Sequence, residues 1–171
     1  CSLGVSVDVV RAAVDSADVV VAEVNPGMPR THGAGFLHVD EIDFFVPGSS
    51  SILEIPVATP GETSRRIGRY CAGLVPDGAT LQLGIGEIPN AVLAELGDRR
   101  DLGLHTEMFS DGVIELIERG VINGRRKTLH PGKAVTSFCL GTRRLYDFVH
   151  DNPFFEFLPT DFVNDPFVIA R

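Results

Sequence analysis

Residues 80–112 read TLQLGIGEIPNAVLAELGDRRDLGLHTEMFSDG. The run from Thr80 to Leu83 has the character of a buried strand and enters the turn Gly84-Ile85-Gly86. Ile88-Pro89-Asn90 then signals a helix start, since proline suits a first helical turn. A second apolar run follows and ends on a carboxylate, Glu107, within His105-Thr106-Glu107-Met108. Strand, helix, strand is the unit of a parallel sheet, so both strand ends are predicted to meet at one edge of one sheet. Open α/β sheets bind ligands at that edge. A glycine turn beside a carboxylate combines backbone donors with a nucleophile, the two requirements of acyl chemistry.

The same rhythm extends outward and predicts an α/β fold, a mostly parallel sheet flanked by helices. Residues 3–7 alternate like a short strand, and Asp8 can cap a helix through about Ser16. The β-branched run Asp18–Val24 reads as a buried parallel strand. The loop Asn25–Gly33, dense in proline and glycine, reads either as a functional loop or as a plain turn, and it carries His32. Strands near 36–39 and 43–46 follow. Residues 47–61, PGSSSILEIPVATPG, have linker composition, dividing the chain into 1–58 and 59–171. A helix over 62–74 should turn Ile67, Tyr70, Cys71 and Leu74 inward and Arg65, Arg66 and Arg69 outward. Beyond it the pattern predicts strand 80–84, helix 89–97, strand 102–106 and helix 110–119, capped by Ser110 or Asp111. Strands 127–130 and 134–139, helix 142–150 and strand 154–158 complete it.

The 171 residues suffice for one ordinary domain or two small ones, and at 44% hydrophobic the chain can bury a core. A net charge of −8 argues against nucleic-acid binding. Residues 1–60 hold two basic and eight acidic residues, whereas the remainder holds thirteen and fifteen. The basic run Arg125-Arg126-Lys127 fits an anionic small molecule or simply a solvated loop. Cys1, Cys71 and Cys139 have no metal-ligand spacing and suggest neither disulfides nor a zinc site. A reducing cytoplasm fits them. No apolar run approaches the ~20 residues of a membrane span, so no membrane partner is expected. The start lacks an initiator Met and the last residues are apolar, which suggests a fragment.

Gly84-Ile85-Gly86 is not a dinucleotide fingerprint, because Pro89 stands where the third glycine belongs. By itself the turn fits a ligand cradle or a tight turn with no ligand. Glu107 lies between Leu104 and Phe109, where a carboxylate is unfavourable unless paired or used. Its alternative role, stabilising the next helix through the dipole, suits Asp111 better. Glu87, beside the turn, is a further ligand-contact candidate. No G-x-S-x-G motif is present, which excludes the common serine-hydrolase pattern.

The runs LQLGIGEIPNAVL, LGLHTEMFSDGVIELIERGVI, KTLHPGKAVTSFCLGTRRLYDFV, NPFFEF and VNDPFVIAR occur in this order, after AEVNPGMPRTHGAGFLHVDEIDFFV. Together they resemble the acetyl-CoA hydrolase/transferase family, whose members include 4-hydroxybutyrate, butyryl/acetate and succinyl/acetate CoA-transferases. The resemblance implies that residues 1–58 close one CoA-transferase-type domain and 59–171 begin a second. It implies a CoA-transferase with acyl-CoA and a small carboxylic acid, acetate first among them, as substrates. Glu107 matches the family's nucleophile and the Ile85 amide its oxyanion donor. Gly84, Ile85, Gly86, Glu87 and His32 are the expected substrate-binding positions. CoA enters as a substrate, and neither cofactor nor metal is expected. A full-length parent is expected to form a homodimer. Acyl-CoA hydrolysis and a non-catalytic structural role remain the alternatives. Family members are much longer, so the isolated chain is expected to have little or no activity.

Overall fold

The computed structural model describes every residue from Cys1 to Arg171. Its centre is a four-stranded parallel sheet in the order β3-β4-β5-β6. These strands are Thr80–Leu81, Gly103–Phe109, Ala134–Cys139 and Phe155–Phe157. Each crossover carries a helix, namely α3 (Glu87–Ala94), α4 (Ile114–Glu118) and α5 (Arg143–Val149). The predicted α/β class is therefore present. In register, Leu81, Leu104, Ala134 and Phe155 line one sheet face. Leu93, Leu96, Ile114, Leu116, Leu145 and Val149 from the three crossovers pack on that face in a single core. Such burial is the main stabilising term of a fold of this size. Phe109 and Phe155 stack at 5.1 Å between centroids within it.

The opposite face carries His105 and is packed by a short helix. The helix α6 (Thr160–Val163), followed by α7 (Pro166–Ile169), lies over β4 and β5. His105 anchors it, with Nε2 2.9 Å from the Val163 carbonyl. Imidazoles of His105 and His130 both lie against the Phe162 ring.

Upstream, β1 (Val21–Val24) and β2 (Phe44–Pro47) pair in parallel, and α1 (Val10–Ser16) precedes them. Residues 3–7 form bridges rather than a full strand: Val7 N–H donates to Ser137 O, and Cys139 N–H to Val5 O. This segment occupies the side of upper β5 that β6 leaves open by ending at Phe157. Gly33 likewise pairs with Phe157. Asp8 does not cap α1; its carboxylate accepts from Val9 N–H and the Ser6 hydroxyl instead. Residues 36–39 are not a strand. A 3-10 turn at Val39–Glu41 replaces it, stabilised by reciprocal bonds between His38 and Glu41.

Two further expectations fail for physical reasons. In α2 (Glu62–Gly73), Tyr70 and the following Leu74 point outward, 73% and 83% exposed. The inward face is instead Gly68 and Ala72, because α2 lies so close to α3 that a Cβ on Gly68 would sit 2.6 Å from the Ala91 carbonyl. Residues 127–130 form no strand because Lys127 turns inward: its Nζ donates to Leu104 O and Lys133 O, each at 2.9 Å. No helix is long and apolar enough to cross a membrane.

Candidate active site

Thr106 fixes the edge at which the site forms. Its hydroxyl bonds both the N–H and the carbonyl of Leu83, each at 2.9 Å. The Leu81–Leu104 register, continued upward, sets Gly84 beside Glu107. The structure thus brings the glycine turn and the glutamate to one edge. Gly86 has a φ of 123°, and nothing lies within 4 Å of where a Cβ would stand. Such a backbone is available to glycine at little strain. The amides of Gly84, Ile85 and Gly86 donate to no protein acceptor. They precede the first turn of α3, whose dipole places partial positive charge nearby.

Glu107 is half-buried on β4. Its carbonyl accepts from the Thr136 hydroxyl at 3.2 Å, while its carboxylate has no hydrogen bond and no cation partner. Other part-buried acids in the sheet region are engaged. Glu156 meets His130, and Asp111 receives the Thr142 hydroxyl and, at 2.9 Å, the Thr142 N–H. Asp111 therefore ties the loop after β4 to the start of α5, and neither it nor Ser110 caps a helix through its side chain.

The remaining expected positions lie farther off. Glu87 turns toward the start of α2, where it accepts from the Ser64 hydroxyl at 2.9 Å and Gly61 N–H at 3.4 Å. It acts there as a tie between helices. His32 is beyond β6, with Nε2 3.3 Å from Asp151 and its carbonyl bonded to Phe157 N–H. Strand spacing of about 4.8 Å puts it on the order of 14 Å from β4, so the structure does not bring it to Glu107.

A cleft of about 300 Å³ opens beside the glycine turn, lined by Ile85, Gly86, Asn90, Ser110 and Asp111. Its other wall is Ile55–Ala58, from the stretch read as a linker. That stretch is held in place: Ile55 N–H donates to Gly141 O, Arg143 N–H to Glu54, and the Tyr146 hydroxyl to Leu53 O. The sequence does not single out Ser137, Thr160 and Asn164, whose side-chain oxygens are buried with no partner. A serine amid the apolar run AVTSFC of β5 was the one available signal.

The chain matches two models of one family, described as the acetyl-CoA hydrolase/transferase N-terminal domain over residues 1–55 and C-terminal domain over residues 141–171. It is 53% identical over 171 residues to a 4-hydroxybutyrate coenzyme A transferase of Clostridium kluyveri, covering 100% of this chain and 40% of the relative. A succinyl-CoA:acetate/propanoyl-CoA:succinate CoA transferase of Fasciola hepatica is 46% identical, with 36% of its length covered and 100% of this chain. Among solved structures, 4-hydroxybutyrate CoA-transferase from Porphyromonas gingivalis superposes with a TM-score of 0.93 at 50% identity. The match covers 99% of this chain and 43% of that one. RipA from Yersinia pestis gives 0.95 at 42% identity, over 99% and 40%. The chain spans about two-fifths of the length of the curated relatives it matches. The chain belongs to the acetyl-CoA hydrolase/transferase family.

Proposed function

We propose that this chain carries the nucleophile of a CoA-transferase that moves CoA from an acyl-CoA to a carboxylic acid, with acetate as the acid. One observation carries the reading: Glu107 is a half-buried carboxylate at a strand end with no partner, beside amides that donate to no protein acceptor. A carboxylate at neutral pH needs no base to become a nucleophile. A Glu107 oxygen attacks the thioester carbonyl, the C–S bond breaks, and an acyl-glutamyl anhydride and CoA thiolate result. The thiolate attacks the glutamyl carbonyl of the anhydride, whose C–O bond breaks to release the first acid. Glutamyl-CoA thioester remains. A second carboxylate repeats the two steps in reverse and leaves as its CoA ester. Each addition generates an oxyanion, and the Ile85 amide is the donor best placed by its turn to meet it.

In this reading residues 1–58 and 59–171 belong to successive CoA-transferase-type domains, in a homodimeric parent. Ile85 is 45% exposed, so the 171-residue chain alone admits water to its turn. A site this open should show little transfer by itself. The same openness favours a second reading, acyl-CoA hydrolysis, in which water resolves the glutamyl thioester. Labelled acetate supplied to the natural full-length chain with acetyl-CoA tests both. Transfer predicts exchange of label into acetyl-CoA, lost in Glu107→Ala. Exchange that survives Glu107→Ala contradicts the proposal. Net CoA release without exchange selects hydrolysis.

A further inference from the structure

Among the buried polar side-chain atoms without a hydrogen-bond partner are Ser137 Oγ, Thr160 Oγ1 and Asn164 Oδ1. Native interiors contain few such atoms, and each calls for a cause. These three are neighbours. Thr160 opens α6 and Asn164 closes it, and α6 lies over β4 and β5. Thr160 N–H donates to Asp8 O, and Asp8 N–H to Ser137 O. Asp8 thus links the start of α6 to the backbone of Ser137.

Ser137 is the member of this group that adjoins Glu107. Thr106 pairs with Thr136 and Met108 with Phe138, so Glu107 and Ser137 stand at one register level on neighbouring strands. The ladder lapses between those two pairs. Neighbouring strands lie about 4.8 Å apart, which puts the two backbones within reach of a side-chain contact. Ser137 is 0% exposed, so water cannot satisfy its hydroxyl. Glu107 offers four lone-pair sites and uses none in the protein. We infer that Ser137 is the positioning residue for Glu107: its hydroxyl donates to the carboxylate and holds one oxygen toward the thioester carbonyl. Rotation about the Glu107 side chain closes the bond when substrate fills the site. Catalytic hydrogen bonds commonly tighten only in the complex.

This inference rests on Glu107 being the nucleophile, and the test separates the two. Wild type, Ser137→Ala and Ser137→Thr are compared in the natural full-length chain, reading melting temperature, KM for acetyl-CoA, and the single-turnover rate of glutamyl-CoA formation. Removing an unpaired buried hydroxyl should leave the melting temperature of Ser137→Ala equal to or above that of wild type. Its single-turnover rate should fall about tenfold to a hundredfold, as expected for a hydrogen bond to a charged group. KM should stay within about twofold, because positioning acts on the chemical step. Ser137→Thr keeps the hydroxyl and should recover most of the rate. If its extra methyl lowers the melting temperature, Ser137→Ala alone decides. An unchanged rate in Ser137→Ala overturns the inference, as does a rate loss accompanied by a lower melting temperature. Wild type that forms no glutamyl thioester overturns the nucleophile assignment, and the inference falls with it.

Discussion

Two charged side chains lie at opposite ends of β4, and they are treated in opposite ways. Lys127 is 7% exposed at the lower end of β4, with its ammonium on the carbonyls of Leu104 and Lys133. Glu107 is half-buried at the upper end, with no partner for its carboxylate. The lower group is structural: the Lys127 Nζ donors join β4 to the segment before β5, although desolvation makes the charge itself costly. The upper charge contributes nothing to holding the fold together. A charge withdrawn from water is unfavourable unless paired, and that is the ground for proposing Glu107 as the nucleophile. The contrast extends to their surroundings. Lys127 has two carbonyl partners, whereas Glu107 stands beside amides that donate to no protein acceptor and level with Ser137, whose hydroxyl has no partner.

The sharpest way to break the contrast is Glu107→Ala. Transfer should fall by about four orders of magnitude or more, on the precedent of removed nucleophiles. The melting temperature should barely move, because no bond is lost. A large drop in melting temperature would make Glu107 structural after all. Next is Ile85→Pro, which deletes one amide from the turn. It should reduce kcat by about a hundredfold to a thousandfold, some 3 kcal/mol of barrier, with circular dichroism unchanged. Retained kcat would remove the turn from the oxyanion site.

Lys127 gives a pH signature. Desolvation lowers its pKa from 10.5 to about 8. Between those values the folded chain has released a proton that the unfolded chain still holds. Unfolding then takes up a proton, so stability rises with pH across that window and the charged form is the less stable one below it. The full rise is up to about 3 kcal/mol. Urea melts at pH 8 and pH 10.5 should show it in wild type and not in Lys127→Met; equal slopes would contradict the assignment. The smallest effect concerns packing behind the site. Gly68→Ala forces α2 off α3 at Ala91 and should destabilise by about 2 kcal/mol. An unchanged urea midpoint would show that the helices slide freely.

Much of this layout is legible in the sequence. Apolar runs in TLQL, LGLHTEMF and AVTSFC, separated by helical stretches, announce a parallel sheet because both faces of such strands are covered. Strand order then delivers Gly84–Gly86 and Glu107 to one edge without further information. What stays hidden depends on partners distant in sequence. Tyr70 and Leu74 look like core by hydrophobicity, but close packing on α3 selects Gly68 and Ala72. Lys127 looks like part of a solvated basic loop, and only the folded β4 shows the carbonyls it meets. Glu87 looks like a ligand contact because it neighbours the turn; the position of Ser64 directs it elsewhere. Ser137 acquires meaning only through the β4–β5 register.

If Glu107 accepts the acyl group and then CoA, the thioester on its side chain can be trapped. The most direct measurement treats the natural full-length chain with acetyl-CoA, reduces it with borohydride, and maps the modified residue by mass spectrometry. A single reduced side chain is expected at Glu107, dependent on acetyl-CoA and absent when acetate is supplied in excess. Transfer with no reduced residue, or with the modification at another carboxylate, would contradict it.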